Sequence, residues 1–255
     1  MIRLAALLLV LPGGPPSPPP TGGLTVEPPT PAIMTGQCNG RDVTINLKNP
    51  TPNPIYAYGT LTAPAELHLP RSLIATWLPP GYTRSVPVAV TAPTGTRPGT
   101  YHLTVASRGE TVDVPVTVTD PPAGAGLIRL ASTVTASSAR AGGSACAAVD
   151  GDAGTMWTDA TGKRWPDWWQ LDWPAPHTIS RVEVVTTRDR GLRDWDVQVA
   201  LPGGWVTVTS VRENALDRKM SVFAPRRTTG VRIVTLAGNA VNDQSRLVEV
   251  VIPGR

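Results

Sequence analysis

The chain of 255 residues has room for one large domain or two of ordinary size, and its 41% hydrophobic content can fill real cores. Its 24 glycines and 28 prolines, with no sustained helical apolar period, argue against a helical protein and for turn-rich β structure joined by linkers. The net charge of +4 comes from arginines interleaved with acids, which falls short of a nucleic-acid-binding patch.

Residues 1–11 read M-I-R-L-A-A-L-L-L-V-L. Arg3 precedes an apolar run too short to span a bilayer, and the segment resembles a secretory signal. A buried strand is the competing reading. Residues 12–23, P-G-G-P-P-S-P-P-P-T-G-G, carry too much proline for helix or paired strand and read as an extended tether. Such a start predicts a secreted, extracellular protein.

Residues 24–119 show short alternating runs: Leu24–Glu27, Val43–Leu47, Ile55–Leu61, Ser85–Val90, Tyr101–Ala106 and Thr111–Thr119. Turn signals such as Pro79-Pro80-Gly81 and Arg97-Pro98-Gly99 separate them. Strands at this spacing predict a β-sandwich. The segments G-Q-C-N-G-R-D-V-T-I-N-L-K-N, L-P-P-G-Y-T-R-S-V-P-V-A-V and R-P-G-T-Y-H-L-T-V resemble the immunoglobulin-like module that accompanies bacterial α-galactosidases. That resemblance implies a spacer and no binding site.

Asp120 to Gly126, D-P-P-A-G-A-G, is a second linker, and residues 127–255 form the second domain. Strand-like runs recur there at Arg181–Thr186, Trp195–Ala200, Trp205–Val211, Ser221–Phe223, Val231–Leu236 and Arg246–Ile252. Pro202-Gly203-Gly204 joins two of them as a hairpin. In D-W-D-V-Q-V, period two puts Trp195, Val197 and Val199 on one face and Asp194, Asp196 and Gln198 on the other. The two cysteines, Cys38 and Cys146, fall one in each half. A bridge between them would clamp the halves in an oxidising compartment; two separate thiols are the other reading.

The densest stretch runs from Cys146 to Trp173. Asp150, Asp152 and Thr155 sit at offsets 0, +2 and +5 across a glycine-containing turn, a spacing that folds hard oxygens towards one point. Trp157, Trp165, Trp168, Trp169 and Trp173 crowd around it. Most of these rings should be core, with Trp165 the exception. Trp157, Trp168, Trp195 and Trp205 are expected as framework.

Read together, A-A-V-D-G-D-A-G-T-M-W, W-W-Q-L-D-W, D-W-D-V-Q-V, G-G-W-V-T-V and R-L-V-E-V-V resemble the factor V/factor VIII type C, or discoidin, family, known in bacteria mainly as family 32 carbohydrate-binding modules. The resemblance spans residues 127–252. It implies a galactose-binding-like jelly roll, so the whole chain is expected to be all-β, an immunoglobulin-like sandwich followed by a jelly-roll sandwich. It implies a structural calcium ion held by the carbonyl of Ala147 with Asp150, Asp152, Thr155 and Glu249. It also implies a glycan site on loops at one end of the sandwich. There Asp159 fills the position of an acidic residue, Pro166-Asp167 stands where galactose-binding relatives carry Pro-His, and Arg188 lies near the position of their arginine, with Asp189 and Arg190 beside it. With the histidine absent, Asp159, Trp165, Asp167, Arg188, Asp189 and Arg190 suit a glycan other than galactose, one with an anionic group that Arg188 and Arg190 would clamp.

His68, His102 and His177 are scattered, and no nucleophile elbow, zinc-protease or phosphate-loop motif is present. The expectation is a monomeric, non-catalytic glycan-binding protein without nucleic-acid partners. Two alternatives stand beside it. One is a membrane-surface or protein-adhesion module using Lys163-Arg164-Trp165. The other is a detached accessory part of a glycoside hydrolase.

Overall fold

A computed structural model describes residues 23–122, 126–187, 191–238 and 244–254. The signal-like segment, nearly all of the first tether, Arg188, Asp189, Arg190 and the loop of residues 239–243 lie outside the described residues. The protein is all-β, with two β-sandwiches in succession.

The first sandwich contains β1 (Leu24–Glu27), β2 (Ala32–Met34), β3 (Arg41–Lys48), β4 (Ile55–Thr62), β5 (Leu73–Leu78), β6 (Thr83–Val90), β7 (Gly99–Ser107) and β8 (Glu110–Thr119). One sheet has the order β1-β3-β6 and the other β2-β8-β7-β4-β5. Alternation makes both sheets two-faced. Val43, Ile45 and Leu47 of β3 meet Val114, Val116 and Val118 of β8 in a closed core, while the residues between them look outward. The strand β5, L-I-A-T-W-L, shows no clean apolar/polar alternation and was not among the runs expected from sequence. Short apolar runs of that kind are ambiguous until their neighbours are known. Tertiary contacts decide it: β5 pairs with β4 from Ile55↔Leu78 to Thr60↔Leu73 and forms the sheet edge. Buried Asn49 pins its end by donating to the carbonyls of Asn53, Leu78 and Pro79 at 2.8, 3.0 and 3.1 Å.

The second sandwich contains β9 (Thr133–Ala136), β10 (Trp157–Thr158), β11 (Asp167–Val185), β12 (Leu192–Leu201), β13 (Gly204–Val211), β14 (Arg218–Gly238), β15 (Arg246–Leu247) and β16 (Glu249–Val251). Its main sheet runs β13-β12-β14-β11-β16, with β9 also on β11. The long strands β11 and β14 pair along most of their length and shift register between Asp172 and His177, where Pro174 and Pro176 interrupt the ladder. The sheet curls there into a half-barrel of jelly-roll type. The core holds Trp157, Trp169, Trp173, Trp195, Val197 and Val199, so the inward face expected for D-W-D-V-Q-V is the one observed. The β12–β13 hairpin turns at Pro202-Gly203, with Gly203 at φ 104°.

The two sandwiches are tied together. Cys38 and Cys146 form a disulfide with a Cα–Cα distance of 5.3 Å. Beside it, Asn39 Nδ2 donates to the carbonyl of Arg129 at 2.9 Å, Arg129 Nη1 returns a bond to Asn39 Oδ1 at 3.2 Å, and the Val134 amide donates to Gln37 Oε1 at 2.9 Å. Gly36, at φ +109°, fits this junction because a side chain there would meet the Ala131 carbonyl at 3.0 Å.

Candidate functional site

The acidic turn folds as its spacing requires. Asp150 Oδ1 accepts the Asp152 amide at 2.9 Å and Asp152 Oδ1 accepts the Gly154 amide at 2.8 Å, with Gly151 at φ +80°. The last strand comes back to it across 98 residues, where Glu249 Oε2 accepts the Gly151 amide at 3.2 Å. Thr155 Oγ1 lies 2.7 Å from Asp150 Oδ2, 3.0 Å from the Asp152 carbonyl and 3.4 Å from the Ala147 carbonyl. A hydroxyl has one proton and can satisfy one of those three acceptors. The remaining lone pairs converge on one another, a set of hard oxygens that suits a calcium-like cation. Asp152 faces this point with its backbone carbonyl, while its Oδ1 accepts the Gly154 amide. Among the described residues no three His, Cys, Asp or Glu side chains gather as metal ligands. Asp150, Thr155 and the carbonyls of Ala147 and Asp152 share this point, and Glu249 stands beside it on the Gly151 amide. Burial, followed by the facing Asp150, pushes the Glu249 carboxyl above its ordinary range; the Gly151 amide partly opposes this.

Asp159 and Asp167, expected at a ligand-facing rim, are interior. Asp159 is 0% exposed and Asp167 2%. Asp159 Oδ1 accepts the Ser245 amide at 2.7 Å, and Oδ2 accepts the amides of Thr161 and Gly162 and the Thr161 hydroxyl at 2.7–3.0 Å. Asp167 Oδ1 is 3.1 Å from the hydroxyls of Ser137 and Thr161, and its Oδ2 is 3.1 Å from that of Ser245. Burial, then the Asp159 charge, raises the Asp167 pKa, and these hydroxyls pull it partway back. Two neighbouring carboxylates with one raised pKa resemble an acid/base pair. Sealed and saturated as they are, they act here as anchors of the loop at residues 159–167. That loop carries Trp165, which packs partly against the core and stays half-exposed. Arg164 beside it is exposed.

Sequence reasoning missed a cluster on the outer face of the main sheet. Trp168 and Trp205, expected as framework, serve that role on this outer face rather than in the core. They stand half-exposed with the Arg232 guanidinium between them, 5.1 Å and 4.2 Å from the two ring centroids. Arg232 Nη2 and Nε donate to Gln170 Oε1 at 2.7 and 3.0 Å, and Gln170 Nε2 donates to Asp172 Oδ2 at 2.6 Å. Burial between the rings depresses the Arg232 pKa, with Asp172 opposing the shift. Each ring has the cation on one face, so the cluster knits three strands together rather than offering open stacking platforms. Strand pairing Gln170↔Arg232↔Gln198 was the missing information.

A family model described as a NedA-like, galactose-binding domain matches residues 147–233. That span runs from the acidic turn to β14. A comparison with curated proteins finds no match. Among solved structures, chitosan-binding module 1 of a chitosanase/glucanase from Paenibacillus sp. IK-5 is 25% identical, covering 48% of this chain and 94% of that one, with a TM-score of 0.44. Chitosan-binding module 2 of the same enzyme, in complex with chitotriose, is 26% identical over 48% and 95%, with a TM-score of 0.43. The family 32 carbohydrate-binding module of Clostridium perfringens NanJ, in complex with galactose, is 19% identical over 47% and 91%, with a TM-score of 0.41.

Proposed function

We propose that the second sandwich is a secreted, non-catalytic glycan-binding module that meets its ligand at the rim around Trp165. The observation that carries this is the pre-formed loop. Asp159 and Asp167 hold the Thr161 and Gly162 amides and the Thr161 hydroxyl from inside, with the half-buried Trp165 indole at the loop surface. A rigid aromatic beside polar groups is what a shallow sugar site needs, because little ordering entropy is lost on binding. The family-model match over residues 147–233 supports the same reading, and the disulfide supports an oxidising, extracellular compartment. Trp165→Ala should abolish or weaken glycan-array binding at least about tenfold, the equivalent of ~1.4 kcal/mol. Unchanged array binding, or a loss confined to anionic liposomes, would overturn the proposal and favour a membrane-surface role.

A structural calcium ion belongs to this reading. Ala147, Asp150, Asp152, Thr155 and Glu249 would hold it, tying the acidic turn to the last strand. Calcium at a hundredfold excess over its dissociation constant should stabilise the protein by about 2.7 kcal/mol. Differential scanning fluorimetry checks this: the unfolding midpoint rises with calcium, falls with a chelator, and stops responding in Glu249→Gln. A midpoint indifferent to calcium would remove the ion from the account.

A further inference from the structure

The first sandwich carries an aromatic surface that a mere spacer does not require. On the outer face of β4, Tyr56 and Tyr58 are 69% and 56% exposed; on β5, Trp77 is 53% and Leu73 52% exposed. The register puts Tyr56 directly opposite Trp77 and Tyr58 opposite Ala75. Side chains opposite each other in a sheet stand about 5 Å apart, and those two residues along a strand about 7 Å. The three rings therefore form one patch. The outward positions beside it on β4 and β5, Thr60, Thr62 and Ala75, carry no charge, and Arg108 and Glu110 lie past the open side of β4 near Ala57. The platform is fixed from beneath by buried Ala57, Ile74 and Leu78, and at its end by Asn49. Exposed rings on an edge strand are an aggregation liability unless something uses them.

The area indicates what does. Tyr and Trp side chains carry about 150–250 Å² each, so the quoted exposures leave on the order of 400 Å² open, against the roughly 800 Å² per partner of a stable protein interface. A flat, uncharged patch of this size and chemistry fits a few rings of a neutral polysaccharide chain, whose C–H faces stack on aromatics and whose hydroxyls meet phenol, indole and threonine groups.

We propose that Tyr56, Tyr58 and Trp77 form a second glycan-binding surface, on the first sandwich, for neutral polysaccharide. It does not depend on the Trp165 rim. With the disulfide holding the two sandwiches together, two sites on one chain would add through effective concentration when the polymer reaches both.

Native affinity electrophoresis of the whole chain through gels containing hydroxyethyl cellulose, galactomannan or glycol chitin tests this. The unmodified chain should be retarded by at least one polymer, with little dependence on salt because the patch is uncharged. The triple variant Tyr56→Thr, Tyr58→Thr, Trp77→Thr, which retains strand-favouring residues, should lose at least about tenfold in apparent affinity. Trp77→Phe should keep binding, which separates loss of the platform from loss of the fold. Trp165→Ala should stay retarded even if it fails on the glycan array, so the two proposals can fail separately. No retardation of the unmodified chain in any gel would overturn the proposal. So would retardation undiminished in the triple variant, or a dimer in sedimentation that the triple variant dissolves.

Discussion

Asp159→Ala is expected to destabilise the second sandwich by about 3–5 kcal/mol, lowering its unfolding midpoint by roughly 10–20 °C. The carboxylate is fully buried and takes the amides of Ser245, Thr161 and Gly162 with the Thr161 hydroxyl. Truncation leaves the buried Ser245 amide and the partly buried amides of Thr161 and Gly162 without their acceptor, while the Thr161 hydroxyl can turn to Asp167, and unmet buried donors cost more than the bonds themselves contribute. The loss extends beyond stability. The Ser245 contact joins the 159–167 loop to a segment 86 residues later, so Trp165 loses the frame that positions it. Calorimetry of the variant beside the parent measures the first effect, and glycan-array binding the second. A midpoint within about 2 °C of the parent, equivalent to less than ~1 kcal/mol, would show that the carboxylate is not the anchor described.

Breaking the Cys38–Cys146 bridge should have an effect of similar size. It joins residues 108 apart, and a loop of about 100 residues closed by a disulfide is worth up to ~4.7 kcal/mol on a chain-entropy account, with 2–5 kcal/mol typical on removal. Cys38→Ser with Cys146→Ser should therefore lower the denaturant midpoint and loosen the two sandwiches from each other, with the Asn39–Arg129 and Gln37–Val134 hydrogen bonds still crossing the junction. Equilibrium unfolding of oxidised parent and double variant, read separately for each sandwich, makes the comparison. A midpoint unaffected by the substitutions, or two titratable thiols in the oxidised parent, would contradict it.

Wherever the information was local, the chain could be read directly. Alternation in D-W-D-V-Q-V identifies an inward and an outward face from the bare order of residues, because successive side chains in a strand must point oppositely. The D-G-D-A-G-T turn likewise predicts its own shape, since its carboxylates cap amides two residues on. Pairing each face with its neighbour was another matter. Trp168 and Trp169 are adjacent and identical, yet one lies at 0% exposure in the core and the other stands outside against Arg232. Period two says that they differ, and the company of Leu171 and Trp173 puts Trp169 inside; only the pairing of β11 with β14 brings Arg232 against Trp168. Asp159 and Asp167 look like surface acids until Ser245 arrives from the far end of the chain.

The sequence alone therefore determined most of the strands and turns, β5 excepted, and the two-sandwich plan, because each depends on residues within a few positions of one another. Tertiary structure decided which tryptophans are open, which aspartates are anchors, and that β5 brings Trp77 opposite Tyr56. Those outcomes depend on contacts dozens of residues apart, where burial and hydrogen-bond saturation, rather than residue type, assign the role.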